Sequence, residues 1–265
     1  MSEPKVRYAL HDGVATITMS DPATLNAAGI DMVVELRAAF EQAAGEARAV
    51  VFTGEGRGFC SGANLSAGGS AGLSGSAGRD SFDAGAALDS HYNPFVTFLR
   101  DLPIPFVTAV NGAAAGVGCS FALMGDLIVA GESAYFLQAF RRIGLVPDGG
   151  STYLLPRAIG RARAMEMMLL GDKVPAAKAL EWGMINRCVP DGDLLATATR
   201  LAQELADGPK ALAMIRRMSW ESLDADWQAQ LNRERITQRD AGRTADFAEG
   251  VMAFLQKRKA SFKGG

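Results

Sequence analysis

Asp148 stands in the stretch AFRRIGLVPDGGST, Ala139 to Thr152, after an apolar run and just before two glycines. An acid in that setting has two uses. It can cap a helix, since Asp is among the best N-cap residues and TYLLPRAIG reads as helix beyond it. Or it can exchange a proton with a small ligand, its pKa raised by an apolar wall from Phe140, Ile143 and Leu145. Two small-residue loops are placed to hold such a ligand. GFCSGANL, Gly58 to Leu65, follows the strand-like AVVFTG, and NGAAAGVGCSFALMGD, Asn111 to Asp126, follows PFVTAV and opens a helix. Glycine at such a junction lets the backbone approach a ligand closely, with N–H groups aimed at negative charge. Side by side, the two loops can give two N–H groups to one carbonyl oxygen, an oxyanion hole in which each donor is worth about 2.7–4 kcal/mol. For either loop alone, close helix–strand packing through glycine explains the same residues. The GxG of AGVGCS lacks the full dinucleotide pattern and its downstream acid.

Other chemistries are poorly supplied. The only histidines are His11, in the turn HDG, and His91, and the three cysteines Cys60, Cys119 and Cys188 have no CxxC spacing. A zinc site would lack its usual ligands, and a Ser-His-Asp triad is disfavoured. No metal and no cofactor is expected.

The elements that must position these residues follow from the rest of the chain. It has 265 residues, 48% of them hydrophobic, and a formal net charge of -2. That length holds one large core, and the near-neutral charge argues against nucleic-acid binding. MSEPKVRYALHDG is polar and strand-like, so no leader is expected. Apolar runs are broken before membrane-spanning length, which makes a cytoplasmic protein with no membrane partner the expectation. VRYAL and VATITM flank HDG as a hairpin. Helical periodicity runs from about Ile30 to Ala43, and ALDSHYNPFVTFLRDLP reads as a helix interrupted near Pro94. AVVFTG, PFVTAV and DLIVAG read as buried strands alternating with helices, hence an α/β core with mainly parallel pairing. Between Ser66 and Gly85 a Gly/Ser/Ala-rich segment reads as an insertion or a candidate lid. From about Leu194 the pattern turns helical to the end. The expected division is 1–195 as core and 196–265 as helical region.

Taken in order, DGVATITM, LNA, AVVFTG, GFCSGANL, PFVTAVNGAAAGVG, DLIVAGESAYF, GLVPDGGSTYLLPRAIG, GRARAMEMMLLG and EWGMINRCV resemble the enoyl-CoA hydratase/isomerase (crotonase) superfamily over nearly the whole chain. The resemblance implies a spiral of ββα units with a helical C-terminal trimerisation or lid region. It also implies an acyl-CoA thioester substrate, whose CoA is no separate cofactor, and a homotrimer or dimer of trimers. The oxyanion donors it implies are the backbone N–H groups of Ala63 and Val117. Ser61, Asn64, Leu65, Lys257 and Lys259 would meet CoA, although a solvated basic helix end explains the two lysines equally well. Asp126 is expected to be structural.

A hydratase of this family carries two glutamates that activate water, and the matching positions here are Ser120 and Phe140. Neither side chain shuttles protons at neutral pH as a carboxylate does. Asp148 is left as the pocket acid. Ser120, Phe140 and Asn93 are the expected pocket residues around it. GLVPDGGSTYLLPR and the C-terminal AGRTADFAEGVMAFLQKR look most like the branch of 1,2-epoxyphenylacetyl-CoA isomerases. The resemblance therefore implies an isomerase that shifts a proton and double bond, or opens a ring epoxide, through an enolate. The alternatives are a hydratase with a non-standard acid/base set, nucleophilic chemistry at Asp148, and a non-catalytic acyl-CoA binder.

Overall fold

The computed structural model describes residues 4–64 and 83–265. Its first element is the hairpin of β1 (Val6–His11) and β2 (Val14–Met19), paired antiparallel from Val6↔Met19 to His11↔Val14. Asp12 and Gly13 between them both take positive φ, 48° and 78°, as a two-residue hairpin turn requires. From β2 onward the pairing is parallel, through β3 (Ala49–Gly54), β5 (Phe106–Val110), β7 (Leu127–Gly131) and β10 (Arg187–Val189). β3 and β5 are buried along their whole length, which is why they read as continuous apolar runs rather than alternating ones.

After each central strand the chain crosses into a second, smaller sheet: β3 into β4 (Gly58–Cys60), β5 into β6 (Ala113–Ala115), and β7 into β8 (Tyr135–Leu137). β9 (Val174–Pro175) closes this sheet antiparallel to β8. Two strands and then a helix, repeated, make the expected ββα spiral. The helices that follow are α1 (Ile30–Glu46), α2 (Asn93–Asp101), α3 (Val117–Leu123), α4 (Ser151–Leu170) and α5 (Ala176–Glu181). Where the helices pack on the large sheet, Phe40 meets Phe52, Phe95 and Phe106 edge to face, and Phe95 likewise meets Phe121. Such pairs add about 0.5–1.5 kcal/mol each beyond the area they bury.

The outer face of the large sheet is covered by α6 (Leu194–Ala206), whose Leu194, Ala198, Leu201, Ala202 and Ala206 pack on Val51, Val107, Ala109 and Val129. The expected boundary at 195/196 falls within α6, just after the first of these anchors. The more peripheral helices are α7 (Ala211–Ser222), α8 (Trp227–Ala241) and α9 (Ala245–Leu255). A buried arginine fastens α7 to the core. Arg216 gives hydrogen bonds to the carbonyls of Leu99, Arg100 and Leu102 and pairs with Asp126 at 2.8 Å, while Asp126 also accepts from the Phe106 N–H. Asp126 is thus structural. Among the described residues no helix is long and apolar enough to cross a membrane.

Candidate active site

The two small-residue loops meet through their glycines. Gly62 (φ +109°) follows β4, and Gly116 (φ +54°) lies between β6 and α3. A Cβ on Gly116 would sit 3.7 Å from Gly62 Cα, and one on Gly62 would sit 3.1 Å from the Ala115 carbonyl oxygen. A side chain on Gly62 would crowd the Ala115 carbonyl, and the positive φ of both glycines disfavours any side chain at either position. Val117 opens α3, so its N–H has no acceptor inside the helix. Ala63 forms an isolated parallel bridge with Ala28, in which the Ala28 N–H donates to the Gly62 carbonyl at 2.8 Å. A parallel bridge bonds through the neighbours of Ala63, so its own N–H points to the opposite side. Two amides on touching loops are thereby turned away from their own secondary structure.

Asp148 arrives from the turn after β8. The chain leaves through a short 3-10 turn, Ala139–Ile143, and returns through Gly149 and Gly150, both at positive φ. A Cβ on Gly149 would lie 3.0 Å from Val117 Cγ2 and 2.9 Å from Ser120 Cβ, which puts the Asp148 peptide against the first turn of α3. The capping alternative is answered here: the N-cap of α4 is Gly150, and no side chain caps it. The backbone of Asp148 supports the helix start instead. Its carbonyl oxygen lies 2.9 Å from Ser120 Oγ, 3.0 Å from Ser151 Oγ and 3.1 Å from Ser151 N. The two hydroxyls are 2.6 Å apart, and Gln138 donates to Ser151 from below at 3.0 Å.

The carboxyl of Asp148 is treated differently from its carbonyl. Oδ1 is buried with no hydrogen-bond partner among the described residues, and burial pushes the group up to about 6 from an ordinary value of 3.8. The loop is pinned and the acid is left free, with its proton poised near neutrality.

The walls are not all those expected. Phe140 is buried, and its ring edge would meet a Cβ on Gly116 at 3.7 Å. Ile143 and Leu145 are corrected: they are 52% and 43% exposed, because Gly144 at φ +72° ends the 3-10 turn and sends the chain outward. Ser120 is fully buried and committed to the Asp148 carbonyl and Ser151, so it supports the pocket from behind rather than lining it. Asn93 is exposed at the start of α2, whereas its neighbour Tyr92 is buried and feels the charge of Asp148. Sequence reasoning had left Tyr92, Ser151 and Gln138 without roles.

Of the expected CoA contacts, Ser61 is exposed and donates its hydroxyl to the Thr24 carbonyl at 2.8 Å. Asn64 packs by Gly29, and Leu65 lies outside the described residues, as does nearly all of the candidate lid. Lys257 and Lys259 are exposed on a tail that returns to the core through Arg48, which bonds the Phe262 carbonyl at the start of β3. The loop that carries Ala63 lies beyond the other end of that strand, after β4. Arg141 and Arg142 bond the Leu170 and Gly171 carbonyls at the end of α4, and so serve that helix rather than the pocket. Among the described residues no group of three or more His, Cys, Asp or Glu is gathered to hold a metal.

A parallel ββα spiral, two amides on touching loops left without partners in their own secondary structure and one half-buried free acid define a class of protein, and comparison with known proteins agrees. The enoyl-CoA hydratase/isomerase family model matches residues 9–265. The chain belongs to that family of enzymes, the crotonase superfamily. A "probable enoyl-CoA hydratase" of Rhodobacter capsulatus is 43% identical over 265 residues, 100% of each chain. The 1,2-epoxyphenylacetyl-CoA isomerase of Escherichia coli is also 43% identical, over 255 residues and 95% of each chain, so the branch expected from the motifs is among the similar relatives. The crystal structure of an enoyl-CoA hydratase from Polaromonas superposes with a TM-score of 0.88 at 31% identity, covering 97% of this chain and 99% of that one.

Proposed function

We propose that this chain is an acyl-CoA isomerase that moves a proton and a double bond through a thioester enolate, with Asp148 as its acid/base. The observation that carries the reading is the half-buried Asp148 carboxyl, unpartnered at a buried Oδ1 and lifted to about 6, on a loop whose Gly149 packs against the Val117 side chain. On a 3-enoyl-CoA the carboxylate takes a proton from C2. The electron pair moves onto the thioester oxygen, where the Ala63 and Val117 N–H groups receive it. The protonated acid then delivers the proton to C4 as the double bond settles between C2 and C3. One acid suffices if it reaches both carbons, and general acid–base action of this kind contributes roughly 10²- to 10⁴-fold. With Ser120 and Phe140 as they are, no second carboxylate is supplied at those positions for activating water. An aromatic-ring epoxide on a CoA thioester is a second substrate type for the same site, in line with the Escherichia coli relative. The reading needs no cofactor beyond the substrate's own CoA. It includes assembly as a trimer or dimer of trimers, supported by Phe247, Phe254 and Leu255 of α9, which are large, apolar and exposed.

Incubation with 3-enoyl-CoA should give the conjugated product, seen by its thioester–enoyl absorbance, and Asp148→Asn should abolish it. Undiminished turnover in that variant sinks the assignment. The Rhodobacter relative favours a second reading, hydration. Steady conversion of crotonyl-CoA to the 3-hydroxy product by the wild type, without isomerisation of 3-enoyl-CoA, would establish that instead.

A further inference from the structure

Tyr92 ties together parts of the site that the chain leaves far apart. It ends a π-helical turn, Leu88–Tyr92, in which the Asn93 N–H bonds the Leu88 carbonyl five residues back. The extra residue in the turn rotates the following positions by about one helical step, roughly 100°. Tyr92 is thereby brought inside, 5% exposed, and Asn93 is left outside. The phenol donates to the Ala28 carbonyl at 2.5 Å, across 64 residues.

Ala28 is the bridge partner of Ala63, and its own N–H holds the Gly62 carbonyl. The segment that carries it, Leu25–Ala28, is irregular: Leu25 and Asn26 both take positive φ. Three side chains hold this segment among the described residues, one of them Thr24, whose Oγ1 accepts from the Ala27 N–H at 3.2 Å. Asn26 fixes its start, with Nδ2 donating to the carbonyls of Glu55 and Gly58, and Tyr92 fixes its end. Ala63 itself is exposed and pairs only through an isolated bridge, so its direction depends on how firmly Ala28 is held.

We infer that Tyr92 is a positioning residue for the oxyanion hole: its hydroxyl straps Ala28 in place, and Ala28 aims the Ala63 N–H at the thioester oxygen. The inference rests on Ala63 being an oxyanion donor. The phenol acts as a neutral donor throughout the working range, because burial and then the Asp148 charge push it up to about 12. It stands near both the acid and the strand that presents the amide. An error in its placement is therefore felt as weaker polarisation of the substrate carbonyl rather than as lost CoA binding.

The test is Tyr92→Phe, which keeps the buried ring and removes only the hydroxyl. The probe is a conjugated aryl-acryloyl-CoA thioester, whose absorbance moves to longer wavelength when its carbonyl oxygen is polarised. In the wild type the bound probe should show this shift. In folded Tyr92→Phe the shift should shrink while the probe's Kd changes less than about threefold. On any acyl-CoA ester the wild type turns over, kcat should fall about tenfold with KM nearly constant, a fraction of the 10²- to 10³-fold cost of losing a donor outright. A full shift in Tyr92→Phe overturns the strap alone. Absence of a shift in the wild type overturns the Ala63 assignment and the strap with it. The probe does not need to react, so retained activity in Asp148→Asn, which would sink the acid assignment, leaves this reading separately decided.

Discussion

Replacing the acid should make the protein inactive and more stable at once. The Asp148 carboxyl holds its proton to about pH 6 when folded, whereas an ordinary aspartate releases it near 3.8. The proton therefore stabilises the fold fully below pH 3.8, and this contribution is lost as pH rises through 6. Above that the fold carries a buried carboxylate it has done nothing to satisfy. A displacement of that size corresponds to at most about 3 kcal/mol. The group is only partly buried, so solvent screening reduces this to about 1–2 kcal/mol. Asp148→Asn keeps the shape and removes the charge, so it should gain about that amount at pH 8, or roughly 2–6 °C in Tm for a chain of this size.

The pH dependence isolates the charge from whatever the new amide does. By pH 5 the folded wild-type acid is largely protonated, and the advantage of Asp148→Asn should have dropped to about half its value at pH 8. The measurement is thermal unfolding of both proteins at pH 5 and pH 8, at one protein concentration, since any self-association would make Tm concentration-dependent. An equal difference between the two proteins at both pH values would refute the argument. The carboxyl would then titrate alike folded and unfolded, and its burial would not be what tunes it.

The remaining predictions concern what holds the site. If Asp148 acts first as a base, kcat/KM for 3-enoyl-CoA should rise with pH and reach half its plateau near the group's value of about 6, with no such inflection left in Asp148→Asn. Ser120→Ala removes the hydroxyl shared between the Asp148 carbonyl and Ser151, and should cost about 1–2 kcal/mol in urea unfolding and lower kcat more than it raises KM. Gly149→Ala would place a methyl 2.9 Å from Ser120 Cβ in a left-handed conformation, and should cost about 1–3 kcal/mol and most of the activity. Asp126→Ala leaves Arg216 buried without its anion and should destabilise by about 3–5 kcal/mol with no direct effect on the acid's pH profile.

The parts of this molecule legible in its sequence are those written in local pattern. The apolar runs AVVFTG and PFVTAV announce strands because both faces are covered, and HDG announces a hairpin because Asp12 and Gly13 can take positive φ. Asp148 and the two glycine loops were legible because each sits in a compact motif. The failures share a cause as well. Ile143 and Leu145 read as a pocket wall because hydrophobicity says nothing about which way a chain turns after Gly144. Tyr92 was passed over for Asn93 because a one-residue slip in a π-helical turn exchanges inside for outside, and no residue type marks it. Ser151 and Gln138 act on residues 3 to 31 positions away, through contacts that exist only once the sheets are stacked.

The same stacking explains how one acid can be both held and free. A carboxylate that fixed its own loop, by capping α4 or accepting amide hydrogen bonds, would have its pKa drawn down and be a poor proton carrier at neutral pH. Here fixing and reacting are assigned to different atoms of one residue. The carbonyl of Asp148 takes the hydrogen bonds, from Ser151 and the hydroxyl at position 120, while Oδ1 takes none from the described residues. Ser120 stands where the family resemblance implies a hydratase glutamate, and its short side chain is what allows Gly149 to lie against α3. A glutamate there would crowd the loop at Asp148 and Gly149, where even a Cβ on Gly149 would lie 2.9 Å from Ser120 Cβ. The exchange of acid for hydroxyl at 120 and the placement of the acid at 148 are therefore one structural choice. Restoring the glutamate alone should displace Asp148 before it activates any water.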